Sequence, residues 1–239
     1  RCFVPREGWV FVDADYSQIE LRVLAHIAGD ERMIQAFNNN EDIHAVTASQ
    51  VFGVPLDQVS HEMRSRAKAV NFGIVYGISA FSLSEDIGVY PKQAQQYMDA
   101  YLEKYHGVRE YMAGIKEKAK EDGYVTSSFG RRRWIPELKA ANFNVRAFGE
   151  RVALNTPIQG TAADIIKLAM IHVADALEDE KLRSRLVLQV HDELILECPA
   201  EEADRASEIL SREMENAASL SVKLRADVSR GENWYDAKS

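Results

Sequence analysis

The chain has 239 residues, of which 46% are hydrophobic and 28% charged, and its net charge is −8. That composition suits a globular chain with a sizeable core and excludes a disordered, collagen-like or disulfide-stapled one. No apolar run approaches the ~20 residues of a membrane span, no signal-peptide pattern opens the chain, and only Cys2 and Cys198 are present, so a reducing cytosol is the expected compartment. The first residue is Arg1 rather than Met, which reads as an excerpt or a processed product. The negative total argues against a nucleic-acid partner, but Arg64, Arg66 and Lys68, and then Arg131, Arg132 and Arg133, form local basic clusters. Such clusters are often just solvated faces, so charge alone leaves both readings open.

Val10–Val12 reads as a short strand running into Asp13, Ala14 and Asp15. Ile19, Val23, Leu24 and Ile27 then recur at helical spacing up to a stop at Gly29, and Ser17 with Glu20 three residues on fits a capping box. Asp42–Phe52 and Glu62–Tyr76 read as helices. Pro91 opens another over Lys92–Tyr105, and Gly107 separates it from a polar helix that ends near Gly123. Tyr124–Phe129 and Arg132–Ile135 predict a hairpin turning at Gly130, and a long helix is expected after Pro157, to about Leu177. In RLVLQVHDELILE, Arg185–Glu197, two apolar strands flank the polar triplet His191, Asp192 and Glu193. A helix over Glu201–Leu220 and a strand near Val222–Val228 close the chain. Strands at both ends and helices in the middle predict an α+β fold, an antiparallel sheet built from distant segments around a helical insertion.

Two sets of residues could carry chemistry. Asp15 and Asp192 each sit where a strand hands over to something else, and two carboxylates meeting across adjacent strands would suit Mg²⁺, which takes oxygen ligands and keeps positions open for phosphates. Surface or capping aspartates at strand ends are equally ordinary. More specific is MRSRAKAVNFGIVYG, in which Arg64, Lys68, Phe72 and Tyr76 recur every four residues and stay near one face of a helix. Cations suit phosphate oxygens and aromatics suit the face of a base, so a nucleoside triphosphate laid along that helix would meet them in order. The alternative is that Phe72 and Tyr76 belong to the core. Gly73 and Gly77, which would weaken a merely structural helix, hold the balance about even.

Taken together and in this order, DADYSQIELR, RSRAKAVNFGIVYG and QVHDE resemble the three polymerase motifs of family A DNA polymerases, the bacterial DNA polymerase I type of Gram-positive organisms. The likeness spans the chain, including FGRRRWIPEL, ERVALNTPIQGTAADIIK and GENWYDAK. It implies a polymerase palm over residues 1–30 and 141–239, with helical fingers inserted over 31–140 that carry a nucleotide-binding helix at about 62–77. It further implies addition of dNTPs to a primer 3′-hydroxyl by two-metal phosphoryl transfer with release of pyrophosphate, a monomeric enzyme working on primer–template DNA without a membrane, and a cytosolic site of action.

On the resemblance, Asp15 and Asp192 hold two Mg²⁺ ions, for which Mn²⁺ can substitute, with Glu193 as an auxiliary carboxylate. Arg64 and Lys68 grip the triphosphate and His44 reaches its phosphates. Phe72 packs on the sugar and base, and Tyr76 guards the templating position. Glu20 is the gate against a ribose 2′-hydroxyl, with Gln18 beside it, although the same Glu20 would also complete the capping box. Arg151, Asn155 and Gln159 meet the primer–template minor groove, His191 the primer end, and Arg131 and Arg132 (with Arg133) backbone phosphates. His61 and His172 read as surface or structural. The family's thumb, N-terminal palm and exonuclease-like domain are not within these residues, so activity is expected to depend on a segment upstream. A single-subunit RNA polymerase is disfavoured by Glu20, which would obstruct a 2′-hydroxyl. A catalytically dead scaffold is disfavoured by intact Asp15, Asp192, Arg64 and Lys68.

Overall fold

A computed structural model describes residues 2–238. In chain order its helices and strands are β1 (Trp9–Tyr16), α1 (Ile19–Ala28), α2 (Glu31–Asn38), α3 (Ile43–Phe52), α4 (His61–Tyr76), α5 (Ala80–Ile87), α6 (Pro91–Lys104) and α7 (His106–Asp122). There follow β2 (Tyr124–Thr126), β3 (Arg132–Trp134), α8 (Phe143–Asp179), β4 (Arg185–Val190), β5 (Glu193–Pro199), α9 (Ala203–Glu215), β6 (Ala226–Gly231) and α10 (Trp234–Ala237). This is the expected α+β layout, with a small antiparallel sheet drawn from distant stretches. Two compact units divide the chain, one made of residues up to Ile19 together with Ala162 onward, the other of Glu20–Thr161.

The first unit is organised by a four-stranded sheet in the order β4-β5-β1-β6. β1 pairs antiparallel with β5, Asp15 opposite Glu193 and Asp13 opposite Ile195, and with β6, Asp15 opposite Asp227. Because side chains alternate along a strand, this register sorts them onto two faces. Val12, Ala14, Tyr16, Leu194 and Leu196 are buried on one face, and the Tyr16 hydroxyl donates to the Met214 carbonyl of α9 at 2.6 Å. Asp13, Asp15 and Glu193 fall on the other. Residues Phe11, Ile195 and Ala237 form a small apolar cluster there, with Trp234 of α10 against it. Gly231 allows α10 to fold back, since a Cβ would lie 2.3 Å from the Ala237 nitrogen.

In the second unit the helices have ordinary polar caps. Asp30, Asp42, Ser60 and Ser79 each accept a backbone N–H in the first turn of α2, α3, α4 and α5, and glycines in left-handed conformation end α3, α4, α5 and α7. A cluster of Ala119, Val125, Ile135, Leu138 and Ala153 joins α7, the β2–β3 hairpin and α8.

Several local expectations are corrected. α1 starts at Ile19, so Ser17 lies outside the N-cap position that a capping box requires, and Gln18 before the helix is left-handed at φ 56°. α2 and α5 were not anticipated, although Asp30 and Ser79 are cap signals for them. α8 begins at Phe143 and runs through Pro157 rather than after it. Asn142 supplies its start, its Oδ1 accepting from the Asn144 and Val145 N–H groups, and the helix carries the lost bond and the crowding of the i−4 carbonyl that buried Pro157 imposes. α9 stops at Glu215, where Asn216 folds its amide back on the Arg212 carbonyl. Val222, Leu224 and Ala226 are alternately buried, which mimics a strand, but the ladder with β1 begins only at Ala226.

Gly107 is not a separator, because it lies inside α7. The break falls at Tyr105, which ends α6 and precedes α7. Gly107 is there for close approach: a Cβ would lie 2.8 Å from the Ala28 carbonyl oxygen, and its N–H donates to Asp30 Oδ2 at 2.9 Å. Gly114 on the same helix has nothing within 4 Å of its Cβ position. Gly107→Ala is therefore expected to destabilise by about 2 kcal/mol through overpacking, and Gly114→Ala to stabilise by about 0.5–1 kcal/mol through helix propensity. Urea unfolding of the two variants checks the opposite signs.

Candidate active site

In the first unit β4 and β5 are joined by a two-residue turn, His191–Asp192, with Val190 paired to Glu193. The first position of such turns usually belongs to glycine, and His191 occupies it at φ 54°, with its carbonyl accepting from Gln189 Nε2 at 2.6 Å. The Asp192 carbonyl accepts the Tyr16 N–H at 3.1 Å, tying the turn to the end of β1. This brings the Asp192 side chain beside Asp15. Protein atoms crowd water away from the Asp15 carboxyl and the Asp192 charge repels it, and together they raise its pKa to about 6.

Behind this pair lies a second carboxyl pair. Glu193 is buried, with Trp234 Nε1 donating to its Oε1 at 2.7 Å and Lys238 Nζ to its Oε2 at 2.8 Å. Asp13, also buried, is raised by burial and by the hydrogen bond and charge of Glu193. Burial would raise Glu193 too, but hydrogen bonds from Asp13, Lys238 and Trp234 outweigh it and hold Glu193 below the usual carboxylate range. The two carboxyls are thus pushed in opposite directions, Asp13 up and Glu193 down. Asp13 Oδ2 is buried without a hydrogen-bond partner among the described residues. Sequence reasoning passed over Asp13; the signal available was its place two residues before Asp15, hence on the same face of β1.

In the second unit, α4 keeps Arg64, Lys68, Phe72 and Tyr76 off its buried side, which is formed by Ala67, Val70, Asn71, Ile74 and Val75. Phe72 and Tyr76 are stacked, their ring centroids 6.2 Å apart. Arg64 Nε donates to Asp42 Oδ2 at 2.6 Å, while Lys68 is exposed. His44, in the first turn of α3, is buried near Phe72 at 6.0 Å between centroids. Burial, together with the charges of Arg64 and Lys68, outweighs the opposing pull of Asp42 and lowers its pKa to about 4. The Tyr76 hydroxyl donates to Glu20 Oε2 at 2.7 Å. Both glycines of α4 have local reasons to be there: Gly77 is its left-handed C-cap, and a Cβ on Gly73 would lie 2.9 Å from Ile78 Cδ1. They speak for the fold rather than for a ligand.

Arg151, Asn155 and Gln159 lie along α8; the first and last are exposed, while Asn155 Nδ2 donates to the Tyr76 carbonyl at 3.3 Å, serving the C-terminal end of α4. On the hairpin, the Arg132 guanidinium lies 5.0 Å from the centre of the Tyr124 ring, and Arg133 donates to Thr156 Oγ1 at 3.4 Å. Arg131 is exposed. Among the described residues, no group of three or more His, Cys, Asp or Glu is gathered as a metal site, and no helix is long and apolar enough to cross a membrane.

The model of DNA polymerase family A matches residues 1–236. The chain is 54% identical over its whole length to DNA polymerase I of Bacillus subtilis and covers 27% of that protein. It is 53% identical, again over its whole length, to DNA polymerase I of Caldicellulosiruptor bescii, of which it covers 28%. It thus spans little more than a quarter of the length of these relatives. A solved structure, the POL domain of Pol1 from M. smegmatis in complex with DNA primer-template and dNTP, is 44% identical and superposes with a TM-score of 0.94, covering 99% of this chain and 42% of that one.

Because the folded Asp15 carboxyl binds its proton more tightly than an ordinary aspartate, its contribution to stability is full below about pH 3.8 and is lost as pH rises through about 6. Asp192→Asn removes one cause of the shift and leaves burial. NMR titration of the Asp15 carboxyl without divalent cations is expected to show its midpoint falling in that variant while staying above 3.8. An unmoved midpoint would mean the two carboxylates do not interact.

Proposed function

The chain belongs to DNA polymerase family A, and from that premise we propose that it carries the nucleotidyl-transfer centre of a template-directed DNA polymerase, joining a dNTP to a primer 3′-hydroxyl and releasing pyrophosphate. The observation that carries this reading is the Asp15–Asp192 pair, two mutually repelling carboxylates held at the end of β1 and the turn of a paired hairpin. Such a pair suits hard divalent cations, Mg²⁺ or Mn²⁺ in its place, with positions left for phosphate oxygens and water. When bound, two such ions supply charge stabilisation to the attacking and leaving oxygens of the displacement.

The chain's own residues do the binding and positioning. Lys68, exposed on α4, meets the triphosphate as a point charge, and Arg64 does so by exchanging Asp42 for phosphate oxygens. The neutral His44 ring contributes a hydrogen bond to the phosphates. Phe72 stacks on the sugar and base of the incoming nucleotide, and Tyr76, stacked on Phe72, closes the templating position. Glu20, fixed by the Tyr76 hydroxyl, blocks a 2′-hydroxyl, and Gln18 borders it. Arg151, Asn155 and Gln159 face the primer–template, Arg131 and Arg132 its phosphates, and His191 the primer end. Glu193, with both oxygens taken, acts as a support for the Asp15 strand. We assign palm to residues 1–30 and 141–239 and fingers to residues 31–140. Grip on duplex DNA is expected to need segments beyond these residues, in a monomeric cytosolic enzyme.

Asp192→Ala, in the full-length polymerase, is expected to lower primer extension by at least about 10³-fold, the several kcal/mol expected of metal-held transition-state stabilisation, while DNA affinity stays near normal. Extension at the normal rate would refute the two-carboxylate assignment. Glu20→Ala is expected to improve rNTP insertion relative to dNTP by at least about tenfold, as relief of a steric exclusion should. Single-nucleotide insertion kinetics with each substrate measures it.

A further inference from the structure

We propose that Asn71 is a positioning residue that fixes the tautomer of His44, so that a neutral imidazole presents its Nε2–H, and not a lone pair, to the nucleotide phosphates. This rests on the phosphate-binding role proposed above for His44. Asn71 lies on the buried side of α4 and is 0% exposed, and the His44 ring is 3% exposed. The Asn71 amide nitrogen lies 2.9 Å from His44 Nδ1. The other end of the same amide is occupied: the Thr47 hydroxyl donates to Asn71 Oδ1 at 3.2 Å, and the Tyr105 hydroxyl lies 3.3 Å from Thr47 Oγ1. Thr47 and Tyr105 are themselves buried. With its oxygen accepting from Thr47, the amide turns its NH₂ toward the histidine.

An amide NH₂ can only donate, so Nδ1 must offer its lone pair, and a neutral ring then has its single proton on Nε2. The ring stays neutral because burial and the nearby Arg64 and Lys68 charges oppose a further proton. A lone pair turned to a triphosphate would be repelled, whereas an N–H donates a charge-assisted hydrogen bond. The same buried amide also ties α3 to α4 through Thr47, so its orientation is fixed by the fold. It sits one residue before Phe72, so the helix that lines up Arg64, Lys68 and Phe72 also dictates what His44 can donate.

The experiment uses the full-length polymerase with ¹⁵N-labelled histidine, the His44 ring being identified by its loss in His44→Gln. The proposal expects Nε2 protonated and Nδ1 bare at neutral pH in the unsubstituted protein; a Nδ1–H ring or a mixture overturns it. Asn71→Asp keeps the shape and the Thr47 bond but replaces the donor by an acceptor, so a proton is expected on Nδ1; a ring spectrum unchanged from the parent overturns the proposal. Asn71→Leu is expected to raise the dNTP KM by roughly tenfold, about the worth of one hydrogen bond to a charged group, with kcat changed much less. Added to His44→Leu, it should raise KM no further, since Asn71 acts through His44; additive losses overturn the positioning role. If His44→Leu itself leaves KM unchanged, the phosphate role of His44 fails, and the ring spectrum still decides the tautomer separately.

Discussion

The antiparallel pairing of β1 with β5 is the constraint on which the Asp15–Asp192 end of the sheet depends. Asp15 opposite Glu193 places the next residue back along the hairpin, Asp192, beside the Asp15 carboxyl, and the bond from the Tyr16 N–H to the Asp192 carbonyl locks that relation. A slip of one residue would exchange the faces, sending Asp13 and Asp15 against α9 and Val12 and Ala14 into water. The register is thus defended by two independent costs, burying carboxylates and exposing the core. Tyr16 adds a third, since its buried hydroxyl has its acceptor only on the α9 side.

That defence has to tolerate four carboxyl groups close together on one face. The fold separates them by role. Asp13 and Glu193 are pushed in opposite directions, Asp13 up and Glu193 down, and Glu193 has Lys238 as a counter-charge and Trp234 as a further donor. Asp15 and Asp192 repel each other at the rim, and the more distant Lys238 charge offsets this only in part, since the Asp15 pKa stays raised. A partly compensated pair beside a better compensated one is a site poised for cations, since an added positive charge relieves it. Gly231 matters for the same reason: without its close approach, α10 could not bring Trp234 and Lys238 to Glu193.

Much of this was legible in the sequence, though unevenly. The hairpin around Asp192, the strand ending at Asp15 and the row along α4 followed from period and from turn chemistry, because those signals are local. Asp13 was missed since a carboxyl in a strand reads as solvent-facing until its cross-strand partners are known. Asn71 was missed because a polar residue on the buried side of a helix shows its meaning only through Thr47, His44 and Tyr105, which three other stretches supply. Gly107 misled in the ordinary way: glycine signals a stop, and only the approach of the Ala28 carbonyl reveals that it is required inside α7. Pro157 misled for the opposite reason: proline signals a helix start, and only the tertiary packing of a 37-residue helix reveals that it is carried in the interior.

The helical unit shows how a binding surface can be held ready without being strained. Asp42 caps α3, the helix that carries His44, and at the same time pairs with Arg64. That pair is more than a third exposed on both sides, and exposed pairs contribute roughly 0–1 kcal/mol, so it orders Arg64 at little cost to release. Buried His44, by contrast, is held at Nδ1 by a buried network through Asn71, Thr47 and Tyr105, and such networks are stiff. Arg64 is therefore loosely held and His44 rigid, with Lys68 exposed beside them. On the proposed reading, a surface built this way keeps one donor at a set direction while its cations follow the charge of a ligand that arrives as a triphosphate and leaves as pyrophosphate.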